Sequence, residues 1–186
     1  MAKLKLKYKH RLMCGDSTDE DTVAKLMDGQ KADMVFTDPP YGISVVGKSG
    51  KIGGSVLAKN QTYKPVENDD KDFDPTFILN LFSDSYLFIW GANYFSNLLP
   101  RGQWICWDKG RPEGTTFSDC ELGWTNGKGI AINTHRVVWH GMTKQGESGK
   151  RVHPTQKPMM LCENIISATK HNLIVDLFLG SGSTLI

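Results

Sequence analysis

The sequence lacks the features that mark a membrane, secreted or metal-binding protein. Its apolar runs stay well short of the roughly 20 residues that a membrane-spanning helix needs, and its first residues alternate lysine with leucine instead of forming an apolar signal core. Its cysteines are far apart and form no C-x-x-C pair; they are Cys14, Cys106, Cys120 and Cys162. This spacing argues against a zinc site and against a disulfide framework. We therefore expect a cytoplasmic protein with reduced thiols and no bound metal.

A strong charge of one sign is also missing. The formal net charge is only +2, so a nucleic-acid partner must be argued from where the charges lie and not from their total. Residues 42–66 contain no acid, whereas lysines are spaced there among glycines at Lys48, Lys51, Lys59 and Lys64. We interpret residues 42–72 as a basic mobile loop, with a solvated surface loop as the alternative. The chain of 186 residues fits a single domain.

The sequence does contain an alternation of apolar strands with helices. Strands are predicted over residues 4–14, 34–37, 86–91 and 103–108. A long strand or hairpin is predicted over residues 130–140, and a last strand runs from residue 172 into a glycine-rich turn. Helices are predicted over residues 19–28, 94–99 and 158–171, and over residues 74–82 with Asp74 as N-cap and Pro75 at the first position. This alternation indicates an α/β fold with a mostly parallel sheet and helices on both faces. In such sheets the ligand crevice lies beyond the carboxyl ends of the strands.

The stretch D-P-P-Y, Asp38 to Tyr41, follows directly after the apolar strand at residues 34–37. An exocyclic amine of adenine or cytosine is a poor nucleophile because its lone pair is delocalised into the ring. The Asp38 carboxylate and the Pro39 carbonyl, held out by the rigid double proline, can accept its two N–H bonds and make the nitrogen tetrahedral. The ring of Tyr41 can stack on the base. The alternative is a proline-rich turn that carries a surface acid.

Two further segments carry candidate functional residues. D-L-F-L-G-S-G-S-T, Asp176 to Thr184, places glycines after a strand, where the backbone can approach a ligand closely. A dinucleotide-binding turn and an ordinary strand-to-helix turn share this pattern. H-P-T-Q-K-P, His153 to Pro158, precedes the last predicted helix. Pro158 is also a common residue at the first position of a helix, and His153 by itself would be an ordinary surface or hydrogen-bonded histidine.

Six segments in this order, GDS, DPPYG, FIWGAN, WDKG, HPTQKP and DLFLGSGST, resemble those of the DNA amino-methyltransferases in the permuted β-type arrangement, the DNA N6-adenine and N4-cytosine methylase family. The resemblance covers nearly the whole chain and is weakest over residues 111–151. It implies the class I S-adenosylmethionine-dependent methyltransferase fold, which is Rossmann-like, with a circularly permuted order of motifs. It also implies S-adenosylmethionine as the cofactor and DNA as the partner.

The resemblance implies three groups of site residues. The catalytic group, which holds the target amine, is Asp38, Pro39, Pro40 and Tyr41. The cofactor-binding group is Asp16, Asp38, Thr155, Lys157, Asp176, Phe178, Gly180, Ser181, Gly182 and Thr184. The DNA-binding group is Lys48, Lys51, Lys59, Lys109, Arg136 and Lys144, and residues 111–151 form a small target-recognition region. Methyl transfer from a sulfonium is an in-line displacement, so these groups need no metal.

The resemblance also favours one base over the others. Methylation of cytosine at carbon 5 would require the thiolate of a Pro-Cys dipeptide, which the chain lacks. Many cytosine-N4 enzymes of the family have serine where this chain has Asp38, so aspartate favours the N6 amine of adenine, reached by flipping the base out of the duplex. The alternatives are a cytosine-N4 methyltransferase, a non-catalytic DNA-binding subunit of a methylase complex, and a glutamine methyltransferase, whose N-P-P-Y pattern differs at Asp38.

The C-terminal end departs from the family pattern. The chain stops at Ile186, whereas family members continue with a helix, a further strand and an acid that binds the cofactor ribose. Without them, the last strand would leave an apolar edge of the sheet uncovered. We therefore expect an apparently truncated chain, with the cofactor site completed by sequence that follows in the gene, by a second polypeptide or by the other subunit of a homodimer.

Overall fold

The computed structural model describes residues 10–47, 50, 52, 62–112, 118–140, 143–148 and 151–185. The predicted strand over residues 4–14 lies mostly outside this part, and it was wrong for residues 10–14, which form no strand. Here Arg11 instead donates to the carbonyl of Leu26 and to the carboxylate of Asp28, at the end of a helix. Within the described residues, no helix could cross a membrane and no cluster of three or more potential ligands could hold a metal ion.

The described elements follow most of the predicted boundaries. The helices are α1 (Glu20–Met27), α2 (Thr76–Leu81), a 3₁₀ helix (Ala92–Leu98) and α3 (Met159–Thr169). The strands are β1 (Met34–Thr37), β2 (Tyr86–Trp90), β3 (Gln103–Asp108), β4 (Cys120–Thr125), β5 (Asn133–Arg136), β6 (Trp139–His140), β7 (Thr143–Lys144) and β8 (Ile174–Val175). The predicted helices are confirmed to within a residue or two, and β1 and β3 have the predicted bounds.

Two strand predictions need correction. Residues 130–140 form two short strands in different sheets, β5 in the main sheet and β6 paired with β7, because Val137 and Trp139 are buried beside α3 instead of extending the edge strand. Strand β4 was not predicted, because Gly123 made its segment resemble a glycine-rich connection. A Cβ atom at Gly123 would lie 2.6 Å from the ring of Phe88, so the close packing of β4 against β2 requires glycine there.

The main sheet has the strand order β5-β3-β4-β2-β1-β8. Strand β1 is parallel to β2 and to β8, β3 is parallel to β5, and β4 is antiparallel to both of its neighbours. The prediction of a mostly parallel sheet is therefore confirmed. Because β1 lies between β2 and β8 and runs parallel to both, the carboxyl ends of these strands meet at one edge of the sheet, where such folds bind ligands.

Helices cover both faces of the sheet, as predicted. Val35 of β1 belongs to a core with Val23 of α1 and Ile78 of α2, whereas Met34 and Phe36 belong to the opposite core beneath α3. This division follows from the strand geometry, in which successive side chains point to opposite faces. Every residue of β1 is buried, as expected for a parallel strand that is covered on both sides.

Candidate active site

A cleft of about 960 Å³ opens at the carboxyl ends of β1, β2 and β8. Asp38 follows the last residue of β1, Gly91 follows β2 and Asp176 follows β8, and all of them line the cleft. Most residues of the predicted catalytic and cofactor-binding groups line this cleft. They are Asp38, Pro39, Pro40, Tyr41, Thr155, Lys157, Asp176, Phe178, Gly180, Ser181 and Thr184. The D-P-P-Y, H-P-T-Q-K-P and glycine-rich segments, which are far apart in the sequence, thus surround one cavity.

The Asp38 carboxylate is held by two donors from the walls of the cleft. The Tyr41 hydroxyl donates to Asp38 Oδ1, and the Lys157 ammonium donates to Asp38 Oδ2 at 2.7 Å and to the Tyr41 hydroxyl at 3.0 Å. The side chain of Lys157 is only 6% exposed and that of Asp38 is 20% exposed. Each carboxylate oxygen has two lone pairs, so Asp38 retains acceptor capacity for a further donor on each oxygen.

A second carboxylate, from the antiparallel strand β4, shares Lys157. Glu121 Oε2 lies 3.0 Å from Lys157 Nζ, and Glu121 Oε1 lies 2.7 Å from Lys109 Nζ. Asp38, Lys157, Glu121 and Lys109 form a row of alternating charge along the cleft wall, which we call the charge chain. Sequence analysis missed Glu121, because no recognised motif contains it and the strand that carries it was not predicted.

Burial and neighbouring charges have opposite effects on the pKa values of the residues in the charge chain. Burial raises the pKa of Asp38, although the charge of Lys157 acts in the opposite direction. Burial alone would also raise the pKa of Glu121, but the charges of Lys157 and Lys109 outweigh it and lower that pKa to about 2. For Lys157, burial alone would lower the pKa, and the charges of Asp38 and Glu121 outweigh it and raise the pKa well above its usual range. The opposite charges of Lys157 and Glu121 thus favour the charged form of each other.

The ring of Tyr41 is packed against a second aromatic ring and against backbone. It stacks on the ring of Tyr94, with centroids 5.1 Å apart and an interplanar angle of 19°. It also lies against Gly91, where a Cβ atom would come within 1.9 Å of the ring and where the backbone has a φ of 67°. Only glycine combines this φ with such a close approach. The position of Tyr41 therefore depends on the glycine that ends β2.

The backbone at and after Tyr41 is held by a buried carboxylate from the far end of the loop. Asp69 Oδ1 accepts hydrogen bonds from the N–H groups of Tyr41, Gly42 and Ile43, at 3.1, 3.1 and 3.3 Å, and Asp69 Oδ2 accepts one from Val45 at 2.7 Å. Asp69 is 4% exposed. Successive N–H groups that converge on one anion form a stable backbone cradle. Asp69 therefore fixes both the D-P-P-Y turn and the base of the loop over residues 42–72.

The glycine-rich turn after β8 is built around a second buried aspartate. The Asp176 carboxylate accepts hydrogen bonds from the Thr37 hydroxyl at 3.0 Å, the Phe178 N–H at 3.0 Å and the Thr184 hydroxyl at 2.7 Å. Burial raises the pKa of Asp176 to about 6. Because Thr37 is the last residue of β1, this carboxylate joins the glycine-rich turn to the strand that precedes Asp38.

The H-P-T-Q-K-P segment contacts the same turn. The Ser183 hydroxyl donates to the carbonyl of Lys157 at 2.7 Å. A Cβ atom at Gly180 would lie 3.7 Å from the ring of His153, so this histidine is adjacent to the turn. The Thr155 N–H donates to Nδ1 of His153 at 3.3 Å. These contacts fix the backbone that carries the Lys157 ammonium into the cleft.

Two members of the predicted cofactor-binding group lie elsewhere. Within the part of the chain that the structure describes, Asp16 and Gly182 do not line the cleft. Asp16 accepts hydrogen bonds from the N–H and the hydroxyl of Thr18, at 2.9 and 2.7 Å. Gly182 has a φ of 77° and donates its N–H to the Leu179 carbonyl at 2.8 Å, which closes the turn. Their contacts with a cofactor remain predictions.

The predicted DNA-binding group is only partly described. Lys48, Lys51 and Lys59 lie outside the described residues. Lys109 belongs to the charge chain, and Arg136 forms an ion pair with Asp108 at 2.6 Å while its side chain stays 75% exposed. Lys144 Nζ lies 5.2 Å from the ring centroid of Trp139. The DNA contacts of all these residues, and the target-recognition region over residues 111–151, remain predictions.

Comparison with known proteins decides the family. Residues 58–186 match the family model described as DNA methylase, which covers N6 and N4 methyltransferases. The chain belongs to this family. The DNA methylase therefore acts on an exocyclic amine of adenine or cytosine, as the ordered motifs predict. The match begins after the D-P-P-Y stretch, so the assignment of Asp38 and Tyr41 rests on the motif and on the geometry of the cleft.

Individual relatives agree with the family. The type II methyltransferase M2.LlaDCHI of Lactococcus lactis subsp. cremoris is 28% identical over 195 residues, which cover 83% of this chain and 72% of the relative. The crystal structure of an M1.HpyAVI–SAM complex matches with a TM-score of 0.51 at 21% identity, covering 91% of this chain and 83% of that chain. A crystal structure of M1.HpyAVI matches with a TM-score of 0.43 at 19% identity, covering 91% and 81%. Together with the family match, the M1.HpyAVI–SAM structure confirms the class I methyltransferase fold.

Proposed function

We propose that this DNA methylase transfers a methyl group to the N6 amine of adenine, with Asp38 as the group that activates the amine. The observation that carries the proposal is the position of the Asp38 carboxylate, which lines the same cleft as the glycine-rich turn, directly after β1. The aspartate itself supports adenine over cytosine, because many cytosine-N4 enzymes of the family that the sequence resembles have serine at this position.

The residues of the cleft fit the methyl donor. Methylases of this family use S-adenosylmethionine, whose sulfonium and ammonium groups are cations, and the cleft is lined by Asp176 and by Phe178, whose backbone N–H donates to the Asp176 carboxylate. Gly180 adopts a φ of 54° and presents backbone without a side chain. We assign these residues, with Ser181 and Thr184, to the cofactor. When bound, the cofactor supplies an electrophilic methyl group for in-line displacement.

Asp38 prepares the amine for this displacement. Its carboxylate accepts one N–H of the amine and the Pro39 carbonyl accepts the other, which withdraws the nitrogen lone pair from conjugation with the ring. As the nitrogen forms its new bond it gains positive charge, and the carboxylate stabilises that charge more in the transition state than in the ground state. One of the two N–H protons then leaves the nitrogen, and Asp38, which accepts that N–H, is the base beside it. Tyr41 and Lys157 hold the oxygens of Asp38 in place beforehand, so little reorganisation is needed.

The aromatic surface beside Asp38 receives the base. The target amine is inaccessible inside a duplex, so the adenine must be flipped out of the stack at a cost of a few kcal/mol. The stacked pair of Tyr41 and Tyr94 borders the cleft, and Tyr94 is 50% exposed. Stacking of a base on an aromatic side chain contributes about 1–3 kcal/mol. In this proposal the loop over residues 42–72 and the region over residues 111–151 contact the surrounding DNA.

Nucleoside analysis tests the identity of the base. The protein is incubated with S-adenosylmethionine labelled in its methyl group and with unmethylated DNA of mixed sequence, and the DNA is then digested and separated into nucleosides. We expect the label in N6-methyldeoxyadenosine. Label in N4-methyldeoxycytidine would assign the enzyme to cytosine, and salt-sensitive DNA binding without any transfer would indicate a non-catalytic DNA-binding subunit.

An isosteric variant tests the role of Asp38. Asp38→Asn keeps the size of the side chain and removes its charge, so we expect methyl transfer to fall by about 100-fold or more, with cofactor binding retained in calorimetry. Asp84→Asn is the matched control, since the Asp84 side chain is 88% exposed and lies 3.9 Å from its partner Lys31. Transfer by Asp38→Asn at the rate of the control would contradict the proposed role.

A further inference from the structure

Lys157 lies between two carboxylates. Glu121 Oε2 is buried and lies 3.0 Å from Lys157 Nζ, at ion-pair distance. The same ammonium donates to Asp38 Oδ2 at 2.7 Å and to the Tyr41 hydroxyl at 3.0 Å. An ammonium group has three N–H donors and can turn about its last bond. Asp38, the Tyr41 hydroxyl and Glu121 can therefore all be partners of Lys157 at the same time.

We propose that Glu121 is a positioning residue, which shares the Lys157 ammonium with Asp38 so that the Asp38 carboxylate keeps its negative charge for the target amine. The proposal rests on the proposed function, because it concerns the same carboxylate and the same amine. The chain itself is thus provided with two acceptors for one buried cation, one at the reacting site and one beside it.

The shared charge of Lys157 is the physical reason for a second acceptor. Lys157 is 6% exposed, so water screens its ammonium little, and a buried charge requires a partner of opposite sign. If Asp38 were the only carboxylate partner, the ammonium would offset much of the negative charge that the amine uses. Glu121 Oε2, 3.0 Å from Lys157 Nζ, takes part of this attraction. Asp38 then stays a strong acceptor for the amine while Lys157 keeps its oxygen in place.

Lys109 keeps Glu121 in the required orientation. Its ammonium lies 2.7 Å from Glu121 Oε1, and its side chain is 11% exposed. With Oε1 engaged by Lys109, Oε2 is the atom that remains for Lys157. The two carboxylates and two ammonium groups of the charge chain also balance one another, so that Lys157 pairs with Asp38 and Glu121 at the same time.

Replacement of Glu121 should slow the chemical step and leave the affinity for the cofactor unchanged. Glu121→Gln leaves a neutral amide beside Lys157 and concentrates the attraction of the ammonium on Asp38. We expect kcat to fall by about tenfold to 100-fold, the loss typical of one charge-assisted hydrogen bond, while the Kd for S-adenosylmethionine changes by less than about twofold. Glu121→Asp keeps the charge on a shorter side chain, so it should recover part of the lost kcat.

Three further measurements separate this role from a merely structural one. Glu163→Gln, which neutralises an exposed carboxylate on α3, is the control and should keep the wild-type kcat. Thermal unfolding of every variant shows whether it is folded. Lys109→Gln provides a second variant in case Glu121→Gln does not fold, and it should lower kcat in the same direction because Glu121 is no longer oriented.

The outcomes distinguish the two proposals. A wild-type protein that methylates no DNA contradicts the proposed function. An active wild type with a folded Glu121→Gln variant of unchanged kcat contradicts the role of Glu121 alone. A Glu121→Gln variant that loses cofactor affinity in proportion to its loss of kcat, or a Lys109→Gln variant with unchanged kcat when Glu121→Gln cannot be obtained, also contradicts it.

Discussion

The buried carboxylate of Asp69 accepts a hydrogen bond from the backbone N–H of Tyr41 at 3.1 Å, across 28 positions of sequence. The same carboxylate binds the N–H groups of Gly42, Ile43 and Val45. The D-P-P-Y turn is therefore shaped by its own prolines and also by an acid at the other end of the loop that follows it. This relationship makes the D-P-P-Y turn and the described ends of the loop over residues 42–72 parts of one unit.

Asp69→Asn tests this unit. The amide keeps the shape of the side chain but replaces one acceptor oxygen with an NH2 donor. Because this donor faces backbone N–H groups, we expect a loss of about 1–3 kcal/mol in the free energy of unfolding. We also expect kcat to fall because the D-P-P-Y turn shifts. Urea unfolding and methyl-transfer assays measure both quantities. The neighbouring Asp70 is exposed, so Asp70→Asn should behave as wild type, and an equal effect of the two substitutions would refute the role of Asp69.

Gly91→Ala tests the contact between the end of β2 and Tyr41. The new Cβ atom would come within 1.9 Å of the Tyr41 ring, so the ring must leave its stack on Tyr94 and methyl transfer should fall at least about tenfold. Gly29→Ala is the matched control, because Gly29 has a similar φ of 74° but no atom within 4 Å of a new Cβ. Both variants should lose about 1 kcal/mol of stability from backbone strain, but only Gly91→Ala should lose activity. Similar activities in the two variants would exclude a packing requirement at Gly91.

Tyr41→Phe separates the hydroxyl from the ring. The stack on Tyr94 is retained, whereas Asp38 Oδ1 loses the donor that holds it. Because this hydrogen bond joins a hydroxyl to a partly buried carboxylate, we expect the free energy of unfolding to fall by about 1.5–3 kcal/mol. Tyr94→Phe alters a half-exposed ring in the same stack and should cost much less. Chemical denaturation of both variants is the measurement, and equal stabilities would show that the Tyr41 hydroxyl does not hold Asp38.

Asp176 should give the folded protein a characteristic dependence on pH. Folding raises its pKa from the ordinary value of 3.8 to about 6, mainly through burial. A raised pKa means that the folded state binds the proton more tightly, so proton binding by Asp176 stabilises the folded state. This stabilisation is complete below pH 3.8 and is lost as the pH rises through about 6. It amounts to at most about 3 kcal/mol, since one pKa unit corresponds to about 1.4 kcal/mol.

Asp176→Asn should remove this dependence. The difference in the free energy of unfolding between wild type and variant should decrease between pH 4 and pH 6 and stay constant at higher pH, as followed by urea unfolding at each pH. Asp84→Asn, which changes an exposed carboxylate, should run parallel to wild type throughout. A wild-type curve parallel to that of Asp176→Asn would mean that Asp176 does not titrate near pH 6.

Much of the fold is encoded locally and could be predicted. Strand β1 is a short apolar run with polar residues on both sides, and α1 begins at an N-cap, Asp19, whose side chain accepts from Thr22 N–H. Such signals depend on residues a few positions apart. No local sequence pattern marks strand β4. Its Gly123 is required by the close approach of the Phe88 ring on the neighbouring strand β2, and the two strands become neighbours only in the folded sheet.

The sequence by itself determined the family and predicted which segments meet at the cleft, because the order of its motifs is specific and because parallel strands bring their carboxyl ends to one edge. Only the tertiary structure showed what holds and balances Asp38. Lys157 is 119 positions away from it, Glu121 lies on a strand without a sequence signal, and Asp69 lies at the far end of a loop. Ion pairs and backbone cradles of this kind have no sequence periodicity, because they depend on distances in space that arise only when the sheet has formed.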